Sequence, residues 1–131
     1  MDDLAQANIL DHYKYPRNRG VIEHPTVTRE EVNPLCGDQI RVDMVINDGI
    51  VQDLQFSGRG CTISQASASM LTEALIGQPV ETAKTFGKEE LLELIGIPIG
   101  YTRMKCALLS LKAFKVGIYT VNGETWDQDE N

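Results

Sequence analysis

Three cysteines and one aspartate are the residues of this chain best placed to do chemistry: Cys36, Asp38, Cys61 and Cys106. A structural cysteine sits mid-strand or mid-helix as a small buried hydrophobe. None of these three reads that way. Cys36 follows Pro34 and precedes Gly37 in a stretch with loop composition. Cys61 comes after Gly58-Arg59-Gly60 and before a helical pattern, and Cys106 falls early in the last helix, after Thr102. Helix N-termini carry partial positive charge, which favours a thiolate. Arg59, Arg103 and Lys105 are near neighbours in sequence. Spacings of 25 and 45 residues match no CxxC zinc-finger pattern, and three thiols cannot all pair with one another. In Cys36-Gly37-Asp38 a flexible glycine lets a thiolate and a carboxylate turn onto one centre. The plainer alternative for Asp38 is a turn residue making an Asx hydrogen bond. Taken with Cys61 and Cys106, the set offers four ligands, the number a tetrahedral metal takes. Its summed negative charge exceeds what a zinc ion or an oxidised [2Fe-2S] cluster neutralises, and the basic neighbours offset part of the remainder.

The elements that must position these residues follow from periodicity. Residues 3–14 read as a helix with Leu4, Ala7, Ile9, Leu10 and Tyr13 at helical spacing, ended by Pro16. Residues 26–32 read as an extended edge. Ile40, Val42, Met44 and Ile46 alternate with more polar neighbours, Asn47-Asp48-Gly49 is a turn, and Ile50, Leu54 and Phe56 continue the alternation with Gln52 as a gap. Residues 39–57 are therefore expected to form an antiparallel hairpin. Ile63, Ala66, Met70, Leu71, Ala74 and Leu75 predict a helix stopped by Gly77 and Pro79. Shorter helical pieces fit 80–86 and 88–95. Thr102 is expected to cap a last helix reaching about Tyr119, with Ala107, Leu108, Leu111, Phe114 and Ile118 on its apolar side. The expected fold class is α+β, a small antiparallel sheet with helices packed on one face.

A length of 131 residues suits a single domain, 1–131, and 42% hydrophobic residues are too many for a disordered chain. No apolar run is long enough to span a membrane, and the acidic start Met1-Asp2-Asp3 is unlike a signal peptide. A cytoplasmic location is expected, where thiols stay reduced. Twelve Lys+Arg against nineteen Asp+Glu give a net charge of −7, with no basic face of the kind nucleic acid requires. Glu124, Asp127, Asp129 and Glu130 crowd the last residues, so 122–131 is expected to be a flexible acidic tail. His12 and His24 lie far from the cysteines in sequence, and packing outweighs metal binding for both. Trp126 and Phe114 read as tail or packing residues.

The chain resembles the IscU/SufU/NifU-N family of iron–sulfur cluster assembly proteins. The resemblance is carried by His12-Tyr13-Lys14-Tyr15-Pro16-Arg17-Asn18, Asn33-Pro34-Leu35-Cys36-Gly37-Asp38, Gly60-Cys61-Thr62-Ile63-Ser64-Gln65-Ala66-Ser67 and Arg103-Met104-Lys105-Cys106-Ala107, and it covers about residues 4–119. It implies that Cys36, Asp38, Cys61 and Cys106 hold the metal or cluster. It also implies a scaffold that accepts sulfur from a cysteine desulfurase, builds a [2Fe-2S] cluster and passes it to apo iron–sulfur acceptor proteins. Asp38, a hard ligand among soft ones, would be the labile one. The IscU branch has a His immediately before the last Cys, inside a segment that a dedicated chaperone recognises. Here Lys105 takes that place, so that partner is not implied. Lys at this position resembles the SufU branch and brings a second reading, a zinc-dependent sulfurtransferase. SufU proteins, however, carry an insertion before the last Cys that the spacing here lacks. A structural zinc module is a third reading, against which Asp38 argues. As acceptor of persulfide sulfur, Cys106 is expected ahead of Cys36, because of its place near a helix start beside Lys105.

Overall fold

The computed structural model describes residues 2–35, 37–121, 123–124 and 126. Cys36 and most of the 122–131 tail, with what was expected of them, lie outside the described residues.

Hydrophobic alternation builds the sheet. Strands β1 (Val27–Asn33), β2 (Asp38–Asn47) and β3 (Ile50–Arg59) form an antiparallel meander in the order β1-β2-β3. Asp48 and Gly49, both at positive φ (54° and 73°), make the two-residue turn between β2 and β3. Ile40, Val42 and Met44 are fully buried along one face of β2. The same period of two carries Asp38 onto that face. One expectation needs correcting on β3. Val45 pairs with Asp53 but Ile46 pairs with Val51, so Gln52 is left over as a bulge. The extra residue shifts the phase, and Val51 rather than Ile50 joins Leu54 and Phe56 in the core.

Five helices complete the described fold: α1 (Asp2–Lys14), α2 (Thr62–Leu75), α3 (Val80–Thr85), α4 (Lys88–Ile95) and α5 (Tyr101–Val121). Helices α2 and α5 pack on the sheet and on each other, and α1 packs on α2. The architecture is the α+β arrangement read from the sequence. Three details differ. Helix α2 is not amphipathic: every residue from Ile63 to Thr72 is buried, because sheet, α1, α4 and α5 surround it. Its Ala-Ser-Ala-Ser run keeps the girth small enough for those neighbours. Helix α1 buries Ile9 and His12 and leaves Leu4, Leu10 and Tyr13 exposed, so its inward face is one step round from the expected one. Helix α5 starts at Tyr101, not after Thr102. Gly100 gives the first carbonyl, accepting the Arg103 N–H at 3.0 Å, and Thr102 is exposed. None of the helices among the described residues is long and apolar enough to cross a membrane.

The segment His12–Arg19 straps these parts together. The His12 Nδ1 is hydrogen-bonded to Ser69 Oγ at 2.7 Å, and the Arg17 backbone N–H donates to the same oxygen at 2.8 Å. The Asn18 amide donates to Thr72 Oγ1 at 3.2 Å. The strap then runs beside the free edge of β3, where Gly20 N–H donates to the Phe56 carbonyl and Phe56 N–H to the Asn18 carbonyl (2.8 and 3.0 Å).

Burial, aided by the Arg17 charge, holds the His12 imidazole below its ordinary 6.5, although Glu73 and Asp11 pull the other way. The unfolded chain then takes up this proton at a higher pH than the folded chain does. Stability is full above 6.5 and is lost as pH falls through and below it. His12→Gln removes the proton site. Urea midpoints at pH 7.5 and 5.5 should differ less for this variant than for the parent, and equal differences would remove His12 from the acid limb.

Candidate metal centre

Three chain segments distant in sequence meet at one end of the sheet. Asp38 begins β2, Cys61 is the residue before α2, and Cys106 lies in the second turn of α5. Their ligand atoms all stand within 4.8 Å of one another. Cys61 Sγ is 3.6 Å from Asp38 Oδ2. Donors about 2.0–2.3 Å from a tetrahedral ion stand roughly 3.5 Å apart, so this pair needs little movement to share one. A metal ion held by both would replace this direct sulfur–carboxylate contact. Two sulfurs and a carboxylate suit zinc or iron, and no chemical feature of the set opposes either.

Each donor is held by a different device. Asp38 is buried because it is in phase with Ile40 and Val42, and its cross-strand partner Asn33 closes the β1–β2 connection. Asn33 accepts the Leu35 N–H at 3.2 Å, and its amide donates to Cys106 Sγ at 3.6 Å. Cys61 caps α2 in extended conformation, and its side chain makes no capping hydrogen bond to the helix. A Ser or Asp there would turn inward to the free N–H groups, whereas the cysteine leaves its sulfur facing Asp38. The Ser64 hydroxyl donates to the Cys61 carbonyl at 3.0 Å. Arg19 reaches from the strap, bonding Gln65 Oε1 and, at 3.0 Å, the Gly58 carbonyl, and it lies over the Phe56 ring. Arg19 thereby ties down the loop that carries Cys61.

Exposure separates the two described cysteines. Cys61 is exposed, whereas Cys106 is only 5% exposed. The premise that Cys106 sits at a helix start is corrected here. With α5 beginning at Tyr101, its backbone N–H lies beyond the first four unpaired groups of the helix. Arg59, Arg103 and Lys105 are all exposed around the centre. Neither histidine belongs to it. His12 is bonded to Ser69, and His24 is an exposed residue beside Glu23. The supporting residues Asn33, Ser64, Gln65 and Arg19 were not singled out from the sequence. The available signal was that Ser64 and Gln65 interrupt the apolar pattern of α2 on positions that should face inward.

Gly60 gives the centre its tightest test. A Cβ on it would lie 2.2 Å from Ser64 Oγ and 3.0 Å from Asp38 Cγ. Gly60→Ala must displace the Ser64 hydroxyl, and it crowds the Asp38 carboxylate. It should cost about 1–3 kcal/mol of stability and weaken zinc binding by about tenfold or more, read by competition with a chromophoric chelator. Gly100→Ala, with open space around it, should change neither. Unchanged zinc affinity in Gly60→Ala would show that Asp38 does not ligate.

Relatives of known name bear on this geometry. The family model of the NifU-like N-terminal domain matches residues 4–127. A zinc-dependent sulfurtransferase SufU of Bacillus subtilis is 41% identical, with 94% of this chain and 95% of the relative covered. That alignment runs over 140 positions, so the relative carries residues that this 131-residue chain lacks. An iron–sulfur cluster assembly scaffold protein IscU of Thermotoga maritima is 33% identical, covering 87% of this chain and 92% of the relative. A crystal structure of a hypothetical protein superposes with a TM-score of 0.78 at 31% identity, covering 90% of this chain and 98% of the other. By this match over nearly its whole length, the chain belongs to the family of NifU-like N-terminal domains.

Proposed function

We propose that this protein is an iron–sulfur cluster assembly scaffold. It accepts sulfur from a cysteine desulfurase, assembles a [2Fe-2S] cluster on Cys36, Asp38, Cys61 and Cys106, and hands it to apo-proteins. The observation that carries the reading is the convergence of Asp38, Cys61 and Cys106 from three separate segments onto one partly open centre. A closed structural zinc site would have no use for an exposed thiol bound to a carboxylate. A cargo site needs soft ligands to hold iron and a weaker one from which exchange can begin, and Asp38 is that ligand.

Sulfur arrives by thiol–persulfide exchange. A thiolate of this chain attacks the outer sulfur of the desulfurase persulfide, the S–S bond breaks, and the desulfurase thiolate leaves. The persulfide is then on this chain, with no change in total oxidation state. The attacking thiol must be reachable. Cys106 is buried, whereas Leu35 and Gly37 on either side of Cys36 are exposed, and this supports Cys36 ahead of Cys106 as the acceptor. A second reading, the zinc-dependent sulfurtransferase, is favoured by Lys105 before the last cysteine and by the SufU relative. Zinc held at this centre would keep the thiolates deprotonated and ordered. The partner and the thiol used would be the same.

Desulfurase, cysteine and reductant should release sulfide faster when this protein is added under either reading. Anaerobic addition of ferrous iron separates them: a scaffold develops the visible absorption of a [2Fe-2S] cluster, and a sulfurtransferase does not. Asp38→Ala should slow the decay of that absorption in air several-fold, and faster decay would remove the labile-ligand role. Mass spectrometry after short incubation should find the added sulfur on the peptide containing Cys36. Sulfur confined to Cys106 would overturn that choice.

A further inference from the structure

Past α5, the described residues Gly123, Glu124 and Trp126 lie back against the body of the protein. Helix α5 ends at Val121, and two residues on Gly123 is left-handed (φ 73°); its N–H donates to the Thr120 carbonyl and Glu124 N–H to the Tyr119 carbonyl, each at 2.9 Å. This is the bonding by which a glycine reverses a chain at a helix end. The reversal is held by an ion pair of 2.5 Å between Glu124 and Lys84, whose ammonium also lies over the Tyr119 ring. Two residues later Trp126 is half-buried and lines a cavity of about 300 Å³. The other walls come from Val32 and Leu35 on the β1 side and from Leu108 and Leu111 on α5, with Lys88 and Lys112 at the edge. Val32 and Leu35 are exposed to solvent there. Lys105, the neighbour of Cys106, lines the same cavity, as does Asn33, whose amide meets Cys106 Sγ. The groove therefore flanks the metal centre.

We propose that this groove is a docking surface for an aromatic side chain flanked by carboxylates, and that the chain's own Trp126, packed along one of its walls, takes up part of it when the protein is alone. Charge complementarity supports the assignment. The chain has only twelve Lys+Arg, and three of them, Lys88, Lys105 and Lys112, edge this one groove. Lys112 is shared with Glu31 at 3.4 Å. The sequence following Trp126 supplies Asp127, Asp129 and Glu130. A short tether gives a cis segment an effective concentration on the order of millimolar, so weak contacts suffice to keep it seated. Any partner docking beside the sulfur centre at this groove must displace it.

Trp126 is the single tryptophan of the chain, so its emission reports the seating. In the full chain it should be quenched by acrylamide several-fold less than in a synthetic peptide of residues 122–131. Lys88→Glu should move it toward the peptide value. The Trp126→Ala chain emits no tryptophan light, so the same peptide can be titrated into it with only the peptide visible. The peptide should bind there with a saturable blue shift, and bind the parent about tenfold or more weakly because the site is filled in cis. Quenching of the parent equal to that of the free peptide would overturn the proposal. So would equal peptide affinity for parent and variant, which denies cis occupancy, or no binding to the variant, which denies a separable groove. Neither desulfurase nor metal enters the test, so its outcome is independent of the sulfur chemistry proposed above.

Discussion

A carboxylate placed on the core face of a sheet must be given a partner, and much of this structure follows from that demand. Met44, Val42, Ile40 and Asp38 share one face of β2 by its period of two, so the row that buries the first three also buries an acid at its end. Taking a carboxylate out of water costs several kcal/mol unless charge or hydrogen bonds replace the solvent. Among the described residues, the Cys61 thiol provides such a replacement. It is brought within reach by the missing side chain at Gly60. An isolated carboxylate would be better off at the surface. Together the carboxylate and the thiol form a site that a metal can complete.

Holding the thiol there falls to α2, a helix with almost no solvent face. Because sheet, α1, α4 and α5 all close on it, its N-terminus cannot drift, and the residue at its cap is fixed as firmly as the core. The loop before it is less constrained by burial, since Gly58 and Arg59 are exposed. Arg19 compensates by bonding both Gln65 on the helix and the Gly58 carbonyl in the loop. His12, Arg17 and Asn18 in turn fix the segment carrying Arg19 to the far side of α2. The basic and aromatic run near the N-terminus thus has a mechanical role: it braces the thiol loop from outside.

Local rules made the sheet legible, because period-two alternation and an Asp-Gly turn are decided by neighbours in sequence. Position 38 could likewise be read as a candidate ligand from Cys-Gly-Asp alone. What escaped was set by packing at a distance. The burial of Ser64, Ser67 and Ser69 depends on how many elements surround α2, and that number is invisible in a window of a dozen residues. The absence of any charge from Thr62 to Thr72 was the signal. The inward face of α1 was misjudged because His12 bonds Ser69, 57 residues away, while Leu10 and Tyr13 stay outside. At Cys106 the error was one of boundary. Moving the helix start to Tyr101 took the thiol out of the first turn and into the core, which changes whether a partner can reach it.

That difference in reach gives the centre two sides. Asp38 and Cys106 face the interior, where Asn33 and the sheet fix their geometry, and Cys61 faces out. Cys61 can be approached from solvent with the fold unchanged, whereas Cys106 is reached only if strands or α5 move, which is costly in a close-packed core. The groove that takes Trp126 is lined by Asn33 and Lys105 and so lies against the interior side. An occupant there touches the residues that fix Cys106, not the exposed thiol.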